Sequence, residues 1–161
     1  MIIFSPMSSE EYIRYLETVA ADYAKDNVTS GRWPAKGALA RSKADLNTLL
    51  PQGLATPNHY LFDIKLTESG PTVGVLWFAI VEQYDVRSAF VYDIKIEPEF
   101  RHQGHAKAAF AMLEQRARAL GLSSIGLHVF RQNTAAQALY SKLGYNVTGI
   151  NMLKKLTANK H

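Results

Sequence analysis

The sequence predicts a single α+β domain with a mixed, mainly antiparallel twisted sheet flanked by helices. Three observations predict it. Helical spacing of apolar residues fills most of residues 1–57, β-branched and aromatic runs dominate from residue 58, and residues 91–120 read as a strand, a loop and a helix. At 161 residues the chain suits one domain, residues 1–161, and no repeat or linker divides it.

The N-terminal part predicts a short strand and two helices. The strand covers residues 2–5. Ser8 and Glu11 have the spacing of a capping box, so a helix begins there and carries Tyr12, Leu16, Val19 and Tyr23 before residues 26–34 break it. A second helix is predicted over residues 36–50, where Pro51 and Gly53 follow.

The rest of the chain predicts a β-meander with one crossover. Strands are expected over residues 59–67, 72–83 and 90–96, with turns at residues 68–71 and 85–88. If the next helix is a right-handed crossover, residues 124–130 form a strand parallel to residues 90–96. A helix over residues 135–142, capped by Asn133 or Thr134, and closing strands at residues 145–148 and 151–156 complete the prediction.

The loop at residues 101–106 has features of an anion-binding site. A helix begins near Ala106, and the first N–H groups of a helix can hold an anion through main chain alone. Gly104 lets the backbone approach such an anion, with Arg101 and Lys107 adding positive charge. The alternative is an ordinary turn in which glycine only relieves strain. The loop is not a nucleotide P-loop, because no Gly-Lys-Ser or Gly-Lys-Thr follows it. It is not a Rossmann turn either, because the Gly-x-Gly-x-x-Gly spacing is absent.

The composition of the chain restricts which partners and which kinds of site are expected. The net charge of +4 suits an anionic ligand, but the basic residues are scattered, so we expect no nucleic-acid partner. With no cysteine, thiol nucleophiles and disulfides are excluded, and a cytoplasmic setting is favoured. No apolar run could cross a membrane, no signal peptide is evident, and no metal-ligand cluster is expected.

Three spaced motifs carry a resemblance to a known family. Residues 93–106 resemble the acetyl-CoA motif of the GNAT superfamily, in which Arg101, Gly104 and Ala106 fill the places Arg or Gln, Gly, and Gly or Ala. Residues 133–140 resemble the family's asparagine-led helix, and residues 143–145 its Leu-Gly-Tyr ending. Order and spacing agree over residues 73–145, so the three motifs together are specific although each alone is weak.

The resemblance implies roles for particular residues. The strand would bind pantetheine through the main chain of Ile94 and Ile96, in a splay between two parallel strands. Asn133 would contact the cofactor or only cap its helix, and Tyr140 would protonate the departing thiolate or only pack its ring. The loop and the start of the following helix, residues 102–107, would bind the pyrophosphate of the cofactor. The remaining cofactor-binding residues, in the strand and in this pyrophosphate loop, are expected to be Lys95, Arg101, His102, Gln103, Gly104, His105, Ala106 and Lys107.

The motifs identify the general base less clearly than they identify the cofactor site. Some relatives place a glutamate on the strand after the central helix, and this sequence has His128 there, which suits a base at neutral pH or a structural role. A water chain is another route for the proton. Three carboxylates are weaker candidates for the base, namely Glu82, Asp85 and Asp93.

The resemblance also implies that the two parts of the chain have different roles. Residues 1–57 would form the acceptor side and residues 58–161 the sheet and acyl-CoA core. Candidates for acceptor binding are the aromatic and charged residues of the first helix and loop, namely Glu11, Tyr12, Tyr15, Glu17, Asp22, Arg32 and Trp33.

The function implied is an acetyl-CoA-dependent N-acetyltransferase that acts by direct transfer to an amine, without a metal. The alternative is a non-catalytic acyl-CoA-binding regulatory module on the same fold. A homodimer is left open.

Overall fold

The computed structural model describes residues 1–157 and contains five strands and four α-helices. The helices are α1 (Ser9–Thr29), α2 (Ala38–Leu49), α3 (His105–Ala119) and α4 (Thr134–Lys142). The strands are β1 (Ile3–Pro6), β2 (His59–Lys65), β3 (Thr72–Gln83), β4 (Val86–Ile96) and β5 (Ile125–Leu127). Within residues 1–157, none of the helices combines the length and the apolarity needed to span a bilayer.

The strands form one mixed sheet in the order β1-β2-β3-β4-β5. All neighbours are antiparallel except β4 and β5, which are parallel from the Ala89–Ile125 pair to the Val91–Leu127 pair. The predicted α+β fold and the parallel crossover through α3 are therefore confirmed. The crossover places the loop before α3 at the carboxyl end of β4, where the sequence motif required it.

Two apolar clusters cover the two faces of the sheet. On one face, Phe110 and Leu113 of α3 are fully buried against strand residues such as Phe78. On the other, Tyr15 and Val19 of α1 and Leu46 of α2 pack with Trp77. A helix layer on each face is what an amphipathic helix and a two-sided buried strand require.

Local signals set most of the boundaries. Ser8 caps α1 with the predicted box, since its side chain accepts from the Glu11 N–H and Glu11 accepts in return from the Ser8 N–H. The helix runs on to Thr29, past the predicted break, and the chain leaves helical geometry at Gly31, whose φ is 85°. The β3–β4 turn is Tyr84–Asp85, both with positive φ, so it is tighter and slightly earlier than predicted.

The predicted closing strands are wrong for the described chain. Residues 145–148 and 151–156 have no strand pairing, and β5 is three residues long where residues 124–130 were expected. A strand needs a neighbour to satisfy its backbone groups, and β-propensity alone does not supply one. The outer edge of β5 therefore has no partner strand within residues 1–157.

Candidate active site

A bulge in β4 shapes the centre of the site. The pairing with β3 passes from Val91 directly to Asp93, so Tyr92 is the extra residue. Tyr92 stacks on Trp77 with ring centroids 4.7 Å apart, and Asp93 accepts a hydrogen bond of 2.6 Å from the Tyr15 hydroxyl. Both side chains therefore face α1.

The bulge coincides with the point where β5 leaves β4. The last parallel pair is Val91 and Leu127, and beyond it a cavity of about 140 Å³ opens between the two strands. Its walls come from α1, β4, the segment after β5, and α4. This cleft lies where the sequence-based interpretation expected the splay.

The main chain of β4 is directed into this opening. The Glu97 N–H donates to the Val73 carbonyl at 2.8 Å, and groups on an antiparallel strand alternate between its two sides. Asp93 and Lys95 therefore turn their main-chain groups toward β3, whereas Ile94 and Ile96 turn theirs toward the open side. The Ile96 carbonyl is already engaged, because it accepts from the Arg101 Nε at 2.8 Å. Arg101 thus holds the loop to the strand end.

The loop before α3 offers unsatisfied main-chain donors. Gly104 precedes the helix with φ of 81° and no side chain caps the first turn, whose earliest helical bond runs from Ala108 N–H to the Gly104 carbonyl. His102 also has positive φ, at 62°, so the backbone curves around the helix start. A Cβ built on Gly104 would meet no atom within 4 Å, which leaves room for a ligand. These features fit a pyrophosphate group.

The other predicted loop residues lie around this helix start. Gln103 donates to the Glu99 carbonyl at 3.3 Å, which closes the loop on itself. His105 begins α3, and its Nε2 atom is buried without a hydrogen-bond partner. Ala106 and Lys107 follow in the first turn, where Lys107 is exposed. Lys95 instead turns its side chain toward α1, where its ammonium lies 3.4 Å from Asp22.

Tyr140 and Asn133 reach the cleft from α4. The Asn133 side chain accepts from the Ala136 N–H at 3.3 Å, so it caps the helix as the alternative interpretation required, and it also lines the cleft. The Tyr140 ring packs edge-on against Phe110 at 5.5 Å. Burial and the neighbouring charge of Asp93 raise the pKa of Tyr140, so its phenol keeps its proton at neutral pH.

His128 lies in the segment that follows β5, across the cleft from α1. Its ring stands edge-on to Phe130 at 4.8 Å. Desolvation, and then the charge of Arg32, lower the pKa of His128 below its ordinary value of 6.5. The imidazole is therefore neutral at pH 7 and able to accept a proton.

Three carboxylates form the acidic side of the cleft. Asp22 and Asp26 come from α1, and Asp93 comes from β4. Burial raises the pKa of Asp93, although the hydrogen bond from Tyr15 opposes the rise and the charge of Asp22 adds to it. Burial and then Asp22 likewise raise the pKa of Asp26. Neighbouring negative charge thus adds to burial in raising the pKa of Asp26 and of Asp93.

Sequence reasoning found some of these residues and missed others. Asp22, Asp93 and Tyr15 were among the candidates, whereas Asp26 was overlooked. The helical spacing of the sequence could have identified Asp26, because residues 15, 19, 22 and 26 fall on one face of α1. Other candidates lie elsewhere: Glu82 and Asp85 are exposed near the β3–β4 turn, and Glu11 serves the α1 cap.

The remaining acceptor-side candidates have structural contacts of their own. Arg32 donates to the Asn27 side chain at 2.7 Å, and Trp33 lies edge-on to Tyr23 and under the Arg41 guanidinium. Tyr12 packs with the apolar cluster that α1 and α2 form with Trp77. Glu17 is exposed and does not line the cleft. In the part of the chain that the structure describes, no group of three or more His, Cys, Asp or Glu side chains is arranged to hold a metal ion.

Comparison with known proteins agrees with this architecture. Residues 16–145 match the model of the acetyltransferase (GNAT) family. The chain is 39% identical over 155 residues to the uncharacterized N-acetyltransferase YycN of Bacillus subtilis (strain 168), covering 96% of this chain and 99% of that one. It is 35% identical over 150 residues to the uncharacterized N-acetyltransferase YdgE of the same strain, covering 93% and 95%.

Solved structures show the same fold. The crystal structure of the putative acetyltransferase YycN from Bacillus subtilis superposes with a TM-score of 0.92 at 38% identity and covers 98% of this chain and all of that one. A predicted acetyltransferase with acetyl-CoA from Clostridium acetobutylicum has a TM-score of 0.64 at 15% identity, with 96% of each chain covered, a likeness of fold alone. The chain therefore belongs to the acetyltransferase (GNAT) family, whose members are acyltransferases that use acetyl-CoA.

Proposed function

We propose that this enzyme transfers an acetyl group from acetyl-CoA directly to a primary amine of a small molecule or peptide, with both substrates bound together. The observation that carries the proposal is that the cleft beside the open side of β4 is lined by a protonated tyrosine and a neutral histidine. The uncapped start of α3 follows β4 at its carboxyl end. When acetyl-CoA is bound, it supplies a thioester open to attack by an amine.

The cofactor-binding part of the proposal uses mostly main chain. The first-turn N–H groups of residues 104–107 would bind the pyrophosphate, with the help of the helix dipole and the Lys107 charge. Ile94 and the Ile96 N–H would bind the pantetheine amides, because they face the open side of β4. Arg101 would act by holding the loop, since its Nε is bound to the Ile96 carbonyl.

Tyr140 is proposed as the general acid. It lines the cleft close enough to Asp93 for that carboxylate to raise its pKa, and a phenol that stays protonated can donate to a departing thiolate. The edge-on contacts with Phe110 and Tyr145 would fix the ring for that task. Packing and catalysis are therefore compatible roles for this side chain.

His128 is proposed as the general base, directly or through water. It lines the same cleft, and its lowered pKa keeps it neutral at pH 7. Asp93 is less suited to the role because its carboxylate already accepts the Tyr15 hydroxyl at 2.6 Å. Residues 1–57 would form the acceptor side, where Asp22 and Asp26 attract the ammonium form of the amine before it loses its proton.

The first test is calorimetric titration with acetyl-CoA of the wild type, Gly104→Glu and Gly104→Gln. Both variants place a side chain of the same size on a backbone with φ of 81°, so both carry the same strain. Only the glutamate adds a negative charge beside the proposed pyrophosphate site. Two like charges about 4–8 Å apart near a protein surface repel each other by on the order of 2–4 kcal/mol. We expect Gly104→Glu to bind at least about 30-fold more weakly than Gly104→Gln.

Activity is tested separately from binding. Wild type that binds acetyl-CoA is assayed for release of coenzyme A against a panel of primary amines and peptides with free amino groups. Turnover with any of them supports the enzyme, and binding without turnover across the panel would favour the regulatory module. Equal affinity of the Glu and Gln variants would refute the proposed pyrophosphate site.

A further inference from the structure

The bulge in β4 switches the side to which the main-chain groups of the strand point. The Ala89 N–H donates to the Ser124 carbonyl at 3.0 Å, on the β5 side, whereas the Glu97 N–H donates to the Val73 carbonyl at 2.8 Å, on the β3 side. On a regular strand, two residues an even number of positions apart would point these groups to the same side. The extra residue of the bulge reverses them. The Ile94 main chain is therefore turned toward the cleft only because the bulge lies where it does.

Helix α1 contacts the strand at two points directly after the bulge. The Tyr15 hydroxyl donates to the Asp93 carboxylate at 2.6 Å, and the Lys95 ammonium lies 3.4 Å from Asp22. Residues 15 and 22 share one face of the helix, and residues 93 and 95 share one face of the strand. Without the extra residue, residues 93 and 95 would face α3 instead. Both contacts therefore exist only when the bulge is in place, and in return they oppose a shift of the strand by one residue.

The two contacts differ in how firmly they can hold the strand. Tyr15 is 8% exposed, and its ring packs with Val19 and Trp77, so its hydroxyl is a fixed donor to a charged acceptor. The Lys95 and Asp22 side chains are 33% and 54% exposed, and an ion pair that open to water contributes little. Most of the restraint on the strand therefore comes from Tyr15.

We propose that Tyr15 is a positioning residue for acetyl-CoA binding, because its hydrogen bond to Asp93 fixes the bulge and so keeps the Ile94 main chain turned toward the cleft. Tyr15 acts through the strand and does not touch the cofactor. A helix on the proposed acceptor side thereby sets the geometry of the cofactor side. The inference rests on the proposed function, since it requires that the main chain of Ile94 binds acetyl-CoA.

Calorimetric titration with acetyl-CoA of two matched pairs of variants tests the role. Tyr15→Phe and Tyr12→Phe each remove one hydroxyl from α1, but Tyr12 does not line the cleft and does not contact Asp93. Asp93→Ala and Asp93→Asn both remove the charge, and only the asparagine keeps an oxygen that can accept from Tyr15. We expect Tyr15→Phe to bind about 10-fold more weakly than Tyr12→Phe, and Asp93→Ala about 10-fold more weakly than Asp93→Asn.

The double variant Tyr15→Phe/Asp93→Ala completes the cycle. Both single changes break the same hydrogen bond, so the double variant should bind no more weakly than the weaker single variant. If the wild type binds acetyl-CoA and the affinities within each matched pair are equal, the positioning role is overturned. Tyr15→Phe that loses stability but keeps its affinity would likewise make Tyr15 a purely structural residue.

Amide hydrogen exchange without acetyl-CoA separates this inference from the proposed function. In Tyr15→Phe we expect faster exchange at residues 93–97, after the bulge, and unchanged exchange at residues 86–91 of the same strand. If the wild type does not bind acetyl-CoA, the proposed function fails, and the exchange measurement still decides whether Tyr15 fixes the strand. Exchange at residues 93–97 that matches the wild type would overturn the inference.

Discussion

The two sides of the proposed site are built in different ways. The proposed cofactor side uses main-chain groups of one continuous stretch, residues 101–107, whose geometry depends on Gly104. The proposed acceptor side uses side chains that are far apart in sequence and line the cleft, with Asp22 and Asp26 on α1 and Asp93 on β4. A backbone site is a local property and a side-chain cluster is a product of packing. The first side should therefore tolerate most substitutions except at its glycine, and the second should respond to each change of charge.

The largest effect is expected from Tyr140→Phe, which touches the point where the two sides meet. Removing the hydroxyl removes the proposed proton donor but keeps the ring contact with Phe110. We expect kcat to fall by about 100-fold or more, with the affinity for acetyl-CoA nearly unchanged. Steady-state kinetics and calorimetric titration measure the two quantities. An unchanged kcat would reduce Tyr140 to a packing residue.

A smaller effect is expected from His128→Gln, which keeps hydrogen-bonding capacity but cannot accept the proton. We expect kcat/KM to fall by about 10-fold. In the wild type, kcat/KM should rise with pH through the His128 pKa, which lies below 6.5, because the neutral imidazole is the active form. The variant should lose that limb of the profile. A limb that survives in the variant would assign it to another group.

The same contrast explains what the sequence could predict. The fold followed from the β-loop-α unit and the strand patterns, because periodicity and turn residues act locally. The bulge at Tyr92 and the overlooked Asp26 needed the packing of α1 on β4, which no local pattern encodes. The closing strands failed for the same reason, since residues 151–156 have strand propensity but no neighbour in the described chain.

A modest effect is expected from neutralising the acidic side. Asp22→Asn and Asp26→Asn should each raise KM for a cationic amine by up to about 5-fold, the scale of a partly exposed charge pair. Asp26→Asn should leave acetyl-CoA affinity unchanged, whereas Asp22→Asn also removes the ion-pair partner of Lys95, so acetyl-CoA affinity is compared on Asp26→Asn. Glu17→Gln on an exposed position of the same helix is the matched control. Equal effects of all three would indicate a general field and not a binding contact.

The last effect concerns stability and not catalysis, at a second side-chain cluster beneath the start of α1. Asp63 on β2 is 4% exposed, and burial, followed by the neighbouring Glu11 carboxyl group, raises its pKa to about 7. The pKa of Glu11 falls in turn to about 2, mainly through its interaction with Asp63. Between about pH 4.5 and 7 the folded pair therefore holds a proton that the unfolded chain has lost, so its contribution to stability falls as pH rises.

Asp63→Asn tests this dependence, because an amide can donate to Glu11 at every pH. At pH 8 the variant should be more stable than the wild type by about 1–3 kcal/mol, and near pH 4.5 the two should be similar. Thermal unfolding across this range measures the difference, with Asp85→Asn at an exposed turn as the control for any carboxylate. A difference that does not vary with pH would mean that Asp63 is ionised in the fold. The proposed pyrophosphate loop should show no such dependence through this pair, since its donors are backbone N–H groups that do not titrate.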